Sequence, residues 1–135
     1  MKTIQTAQIL GTGYLTVRVT AADNALPIEG ATVTITSGRG DNTVLINTQT
    51  TGRSGETERI ELSAPPKELS QTPGNENTYA KYNVRVDFPG YYTVENIDVP
   101  VFDGQISIQP TQMIPLPLND KSGKKTTILE SEPEL

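Results

Sequence analysis

Residues 14–20 alternate without a break, with Leu15, Val17 and Val19 on one face and Tyr14, Thr16, Arg18 and Thr20 on the other. Residues 82–88 repeat the pattern, Tyr82, Val84, Val86 and Phe88 being opposed by Asn83, Arg85 and Asp87. A period of two belongs to a half-buried β-strand, so each stretch sends one face to a core and leaves the other wet. The signature recurs where Ala31, Val33 and Ile35 alternate with Thr32, Thr34 and Thr36, and the turn that follows is expected to open a hairpin into a third strand at residues 44–50. Residues 57–62 place Ile60 and Leu62 inward with Arg59 and Glu61 outward, and short runs follow at residues 92–94, 97–101 and 106–108. In the last run, residues 111–118, Pro115 and Pro117 restrict the chain to a sheet edge or an extended crossing, because proline cannot donate to a ladder.

Turn chemistry separates these runs. Asp23-Asn24 with Pro27, Ser37-Gly38-Arg39-Gly40-Asp41-Asn42, Gly52-Arg53-Ser54-Gly55, Pro65-Pro66 and Pro89-Gly90 all combine positive-φ glycine, fixed-φ proline or side chains that bond their own backbone. Seven or eight short strands at a spacing of about 8–12 residues read as a β-sandwich. With 135 residues, two phenylalanines and no tryptophan, there is room for one domain whose core is built from Val, Ile and Leu. The expected organisation is an extension or extra edge strand at residues 1–12, a sandwich over residues 13–118 and a polar tail over residues 119–135. Gly11-Thr12-Gly13 serves as a flexible joint in that scheme. Residues 63–78, rich in Pro, Ser, Gly and Asn, form a connection longer than compact domains ordinarily use, and such loops are commonly functional or disordered.

Composition removes several kinds of chemistry. There is no cysteine, hence no disulfide, thiolate metal site or cysteine nucleophile. There is no histidine, which takes away the commonest general base and transition-metal ligand. A net charge of −5, with the basic residues scattered, argues against nucleic acid. The N-terminal residues lack the continuous apolar run of a secretory signal, and no stretch is apolar enough to span a bilayer. The expected setting is cytoplasmic or spore-associated, or the envelope where a leader has been removed.

On Pro27-Ile28-Glu29-Gly30-Ala31-Thr32-Val33, the Thr51-Gly52-Arg53-Ser54-Gly55-Glu56-Thr57 turn and the strand from Tyr82 to Tyr91, the chain resembles the carboxypeptidase-regulatory-like domains. The resemblance is closest to the N-terminal module of the clostridial spore cortex-lytic enzymes. It rests there on Gly13-Tyr14-Leu15-Thr16-Val17, the Pro65-Pro66 break and Tyr82-Asn83-Val84. It implies an all-β, prealbumin-like, antiparallel Greek-key sandwich of seven to eight strands and a cell-envelope or spore setting. In the cortex-lytic proteins the module precedes a peptidoglycan-cleaving region, so the resemblance carries no lytic activity over to this chain.

Candidate sites are few. Arg39-Gly40-Asp41 spells an integrin-recognition tripeptide inside a predicted hairpin turn, but such turns select Gly and Asp for backbone reasons. Asp23, Asp41, Asp87, Asp103 and Asp120 do not converge in one loop as calcium requires. Lys67 with Ser54 or Ser70 lacks any partner to orient a nucleophile. Tyr79, Tyr82, Tyr91 and Tyr92 bring apolar area with a hydroxyl, which suits glycan stacking or a protein contact, and the alternation sends Tyr82 inward. The expectation is a non-enzymatic interaction or structural module of the envelope or spore, without cofactor or metal, acting on a protein partner or by self-association. Its expected surface comprises Lys67, Glu68, Leu69, Asn75, Asn77, Tyr79 and Tyr92. Alternatives are a prodomain-like module restraining a peptidoglycan-processing enzyme, and a module that binds carbohydrate, peptidoglycan among the candidates, or is adhesive.

Overall fold

The computed structural model describes residues 11–66 and 79–117 together with the backbone of Lys125–Leu129. The strands are β1 (Gly11–Ala21), β2 (Leu26–Pro27), β3 (Thr32–Ser37), β4 (Val44–Thr50), β5 (Ile60–Ala64), β6 (Tyr79–Asp87), β7 (Thr93–Phe102), β8 (Ile106–Gln112) and β9 (Lys125–Leu129). They form the expected all-β sandwich of two sheets. One sheet has the order β4-β3-β6-β7-β9, and the other is built around β1. Pairing is mainly antiparallel, with two parallel pairs, β1 with β8 and β7 with β9.

The faces follow the alternation. Leu15, Val17, Val19, Ile60 and Leu62 from one sheet meet Val33, Ile35, Val84, Val86, Val94, Val99 and Val101 from the other, and Ile28 and Met113 join this core beside the Val19–Thr20 end of β1. Burying such side chains is worth about 1.5–3 kcal/mol each before chain entropy is charged against it.

β1 is the middle strand of its sheet, and both of its backbone edges have to be satisfied. On one side β8 runs alongside residues 14–20. On the other, β5 pairs only with residues 11–15 and β2 only with Thr20 and Ala21. Non-strand pieces fill the interval: Val17 and Thr57 exchange hydrogen bonds, Val17 N–H donating to the Thr57 side-chain Oγ1 at 3.0 Å and Thr57 N–H to Val17 O at 3.0 Å. Next, Val19 N–H donates to Gly55 O at 2.7 Å, and Ile28 N–H donates to Val19 O at 3.0 Å.

Thr51 ties these pieces to β3. Its buried hydroxyl donates to Ile28 O at 2.6 Å and accepts from Ala31 N–H at 2.9 Å, while its own N–H donates to Ala31 O at 3.0 Å. Gly55 is the residue the turn requires: its φ is +83°, and a Cβ there would lie 2.7 Å from Val19 O.

Several boundaries depart from the sequence reading. Gly11, Thr12 and Gly13 are not a joint but the start of β1, where Thr12 N–H donates to Asp103 Oδ1 at 3.0 Å. Glycine is needed at 13 because a Cβ would overlap the Phe102 carbonyl. The runs at residues 92–94 and 97–101 are one strand, β7, broken in pattern by a bulge at which Asp98 takes φ +64°. The run at 106–108 joins the first two residues of the run expected at 111–118, with β8 continuing through Pro110 as an edge can. β9 lies in the segment expected as a tail, and its Thr126, Thr127, Ile128 and Leu129 supply the strand-favouring residues there.

Thr51→Val leaves the Ala31 N–H and Ile28 C=O buried without their partner, and the expected loss is about 2–4 kcal/mol by urea unfolding. Thr51→Ser should recover most of it. Gly55→Ala is expected to cost about 1–3 kcal/mol. A Thr51→Val protein as stable as wild type would contradict the clamp.

Candidate interaction surface

β4 is the free edge of the five-stranded sheet, since β3 pairs along one of its sides and no described strand pairs along the other. Its first half is apolar and open to solvent: Val44 is 54% exposed, Leu45 64% and Ile46 41%. The pairing with β3 shifts between Ile35, opposite Asn47, and Thr36, opposite Leu45, so that Ile46 is an extra residue in a bulge. From Asn47 to Thr50 the ladder is regular, with Asn47 and Gln49 sharing the core-facing side with Ile35 and Val33, and Thr48 and Thr50 facing out with Thr34 and Thr32. Asn47 Oδ1 is buried and has no hydrogen-bond partner.

Sheet edges offer unpaired N–H and C=O groups and are normally blunted. The other flanking strands are blunted: β2 contains Pro27, β8 contains Pro110, β5 carries Glu61 and β9 carries Lys125. β4, Val44-Leu45-Ile46-Asn47-Thr48-Gln49-Thr50, has neither charge nor proline.

The turn leading into β4 is fixed to the sheet behind it. Arg39 Nη2 donates to Asp98 Oδ2 at 2.6 Å, an exposed pair that screening keeps weak. Asn83 Nδ2 donates to Gly38 O at 2.8 Å, and Asp98 N–H donates to Asn83 Oδ1 at 3.3 Å. Arg39 is therefore held against β7, while Asp41 lies exposed in the short 3-10 turn Gly40–Asn42. The tripeptide does not present both charged groups freely.

A smaller apolar area lies on the outer face of the other sheet, where Ile106 and Ile108 of β8 are 54% and 52% exposed beside Tyr14 and Thr16 of β1. The Arg59 guanidinium lies over the Tyr14 ring at 5.6 Å, and Arg18 pairs with Glu56 at 2.9 Å, which leaves charged groups bordering this face.

Of the surface expected from sequence, Lys67, Glu68, Leu69, Asn75 and Asn77 lie outside the described residues. Tyr79 is buried, its ring 5.4 Å from that of Phe102. Tyr92 is half-buried, its N–H donating to Ile114 O at 2.9 Å. Tyr91 packs on Phe88 at 5.7 Å. Tyr82 faces inward, as expected, and its hydroxyl donates to Ser63 O at 2.6 Å. The β4 edge went unrecognised as a site because strand order is not visible in a run of seven residues; its lack of any charge was the available signal. The aspartates are dispersed: Asp87 accepts from Thr93 and Arg85, Asp23 from Gln112 and Asp103 from Thr12, and Asp120 lies outside the described residues. Among the described residues no three His, Cys, Asp or Glu side chains cluster where they could hold a metal ion. No helix among the described residues is long and apolar enough to cross a membrane.

No protein-family model matches this chain, and no curated protein matches it. Among solved structures it is similar to GBS52, the minor pilin of the gram-positive pathogen Streptococcus agalactiae. The TM-score is 0.54 and the identity 15%, over 83% of this chain and 48% of the pilin. It is also similar to catechol 1,2-dioxygenase of Acinetobacter radioresistens, with a TM-score of 0.53 and 12% identity over 94% of this chain and 60% of the enzyme. For the mercury-inhibited catechol 1,2-dioxygenase of Acinetobacter sp. ADP1 the TM-score is 0.51 and the identity 12%, over 88% and 59% of the two chains.

At such identities the fold is what is shared. The chain spans about half the length of the pilin and about 60% of the dioxygenases. It is thus a β-sandwich module of a kind that both a minor pilin and enzymes contain. The narrower resemblance to the cortex-lytic module rests on its motifs alone. The expectation of a non-enzyme is corrected by these comparisons: several structures that share the fold are enzymes, and a sandwich hosts more than one kind of function.

Burial pushes the Tyr82 phenol above its usual 10.0. A raised folded-state value contributes stability that is fully present below the unfolded-state value of about 10 and is lost as pH rises through the folded one. As pH rises past the unfolded-state value of about 10, Tyr82→Phe is therefore expected to lose less of its Tm than wild type, although it is about 1 kcal/mol less stable at neutral pH. Equal alkaline losses in the two proteins would contradict this.

Proposed function

We propose that the domain is an assembly module of the bacterial cell envelope, in which two packed sheets hold open the β4 edge so that an extended protein segment can add to it. The supporting observation is the edge itself, with its exposed Val44, Leu45 and Ile46 and no charge or proline along the strand. Strand addition uses main-chain hydrogen bonds for affinity and alternate side chains for selectivity, which a sheet edge of this composition provides. The Asn83 side-chain bond to Gly38 O, with the weaker Arg39–Asp98 pair beside it, ties the entry turn to the sheet. An envelope setting is in keeping with the fold likeness to the minor pilin and with the resemblance carried by the Pro27–Val33 and Gly52–Gly55 motifs. Glycan stacking has less to support it, because Tyr79 and Tyr82 are buried and Tyr91 packs on Phe88.

The test is binding of fluorescein-labelled peptides of alternating Val and Thr, read by fluorescence polarisation. Wild type should bind in the micromolar range, and Leu45→Lys, which keeps an exposed position exposed, should weaken binding on the order of tenfold or more without changing the circular dichroism spectrum. No binding by wild type, or equal binding by Leu45→Lys, would overturn the open-edge reading.

A further inference from the structure

We propose that the segment added to the β4 edge is β4 of a second copy of this chain, running antiparallel about a two-fold axis at Thr48. The inference rests on the open-edge reading and names its occupant.

Symmetry supplies the first argument. An isologous contact brings each residue near its own counterpart, so any charge close to the axis meets a like charge. In a chain of net charge −5, a self-pairing edge has to be locally neutral, and all seven residues of β4 are uncharged. The flanking strands β2, β5, β8 and β9 each carry a proline or a charge.

The register is set by the bulge. Regular pairing with β3 begins at Asn47 and runs to Thr50, and the bulged Ile46 precedes it. An axis at Thr48 is centred in this stretch: Asn47 of one copy faces Gln49 of the other and Thr48 faces Thr48, while the bulged Ile46 lies at the margin beside Thr50. Across the pair, Ile46 covers the methyl of a β-branched partner on the outer face. On the core-facing side two carboxamides meet, and a carboxamide carries both a donor and an acceptor. Asn47 Oδ1, which has no partner within its own chain, takes Gln49 Nε2 of the second copy as its donor once the Asn47 side chain turns from the core toward the edge. The symmetry repeats this contact on the other side of the axis. Leu45, the most exposed of the apolar triplet, then lies over the far end of the neighbouring strand, near Thr50 and Thr51.

The contact joins two five-stranded sheets into one continuous sheet of ten strands. It leaves the Ile106 and Ile108 face open on each copy.

The chain has no cysteine, so a single introduced thiol reports on the contact without interference. Directly opposed residues of an antiparallel pair place their Cβ atoms about 4.5–5.5 Å apart, close to the distance a disulfide bridges. Sedimentation equilibrium of wild type should show a monomer–dimer equilibrium. Thr48→Cys should form a disulfide-linked dimer under mild oxidation much faster than the control Thr34→Cys, which lies one strand inward on β3. Thr48→Asp, on the exposed outer face, should weaken the dimer on the order of tenfold or more with an unchanged circular dichroism spectrum.

A wild type that stays monomeric to millimolar concentration, with Thr48→Cys no faster than the control, would overturn the proposal. If that protein still binds the Val/Thr peptides, the open edge stands and its occupant is another protein; if it binds neither, the open-edge reading falls as well. A dimer indifferent to Thr48→Asp would place self-association on another surface and equally overturn the proposal.

Discussion

Backbone hydrogen bonding at the strand edges governs this structure. A sandwich with a core of Val, Ile and Leu gains its stability from burial, which is non-directional and does not by itself choose which strands lie next to each other. The N–H and C=O groups do choose, because each one buried without a partner costs about 1–3 kcal/mol. β1 shows the requirement most clearly. It is central, its second edge is only partly covered by β5 and β2, and the remainder is completed by Thr57, Gly55 and Ile28. Those residues belong to loops, and loops hold position only when something fixes them. Thr51 does so from the end of β4, bonding both Ile28 and Ala31 and thereby coupling the two sheets through backbone atoms as well as through side-chain packing.

The same accounting, applied to the outermost strands, leads to function. Proline in β2 and β8 removes donors, while Glu61 and Lys125 make strand addition to β5 and β9 electrostatically unfavourable. β4 is the exception, and its exposed apolar residues lie beside open backbone groups in one strand. The clamp and the proposed recognition edge are thus adjacent in the chain: β4 ends at Thr50, and Thr51 begins the clamp.

Much of this was legible in the sequence, and the reason is physical. Strict alternation at residues 14–20 and 82–88 identified the inward faces of β1 and β6 because burial on one side of a pleat enforces a period of two. The Gly52–Gly55 turn and the Pro27–Val33 segment were visible as motifs, although the role of Thr51 in joining them was not, since a buried threonine looks the same in sequence as one on a wet face. Alternation failed where the register slips: Asp98 splits β7 into two apparent runs, and Ile46 conceals the inward phase of β4. The open β4 edge was not legible in the same way. Tyr79 reads as an available aromatic and is buried against Phe102, whereas β4 reads as an ordinary hairpin strand and becomes an edge only once β3 is seen to pair with β6.

Residue-resolved amide exchange tests the account most directly, because it reads each backbone group separately. The Val17 and Val19 amides should exchange as slowly as those in the middle of β6, although no regular strand pairs with them on that side. In dilute solution the β4 amides that do not face β3 should exchange fast, and they should become protected as protein concentration rises. Fast exchange at Val17 and Val19, or β4 amides whose protection is uniform and independent of concentration, would contradict the claim that edge satisfaction shapes both the fold and its contacts.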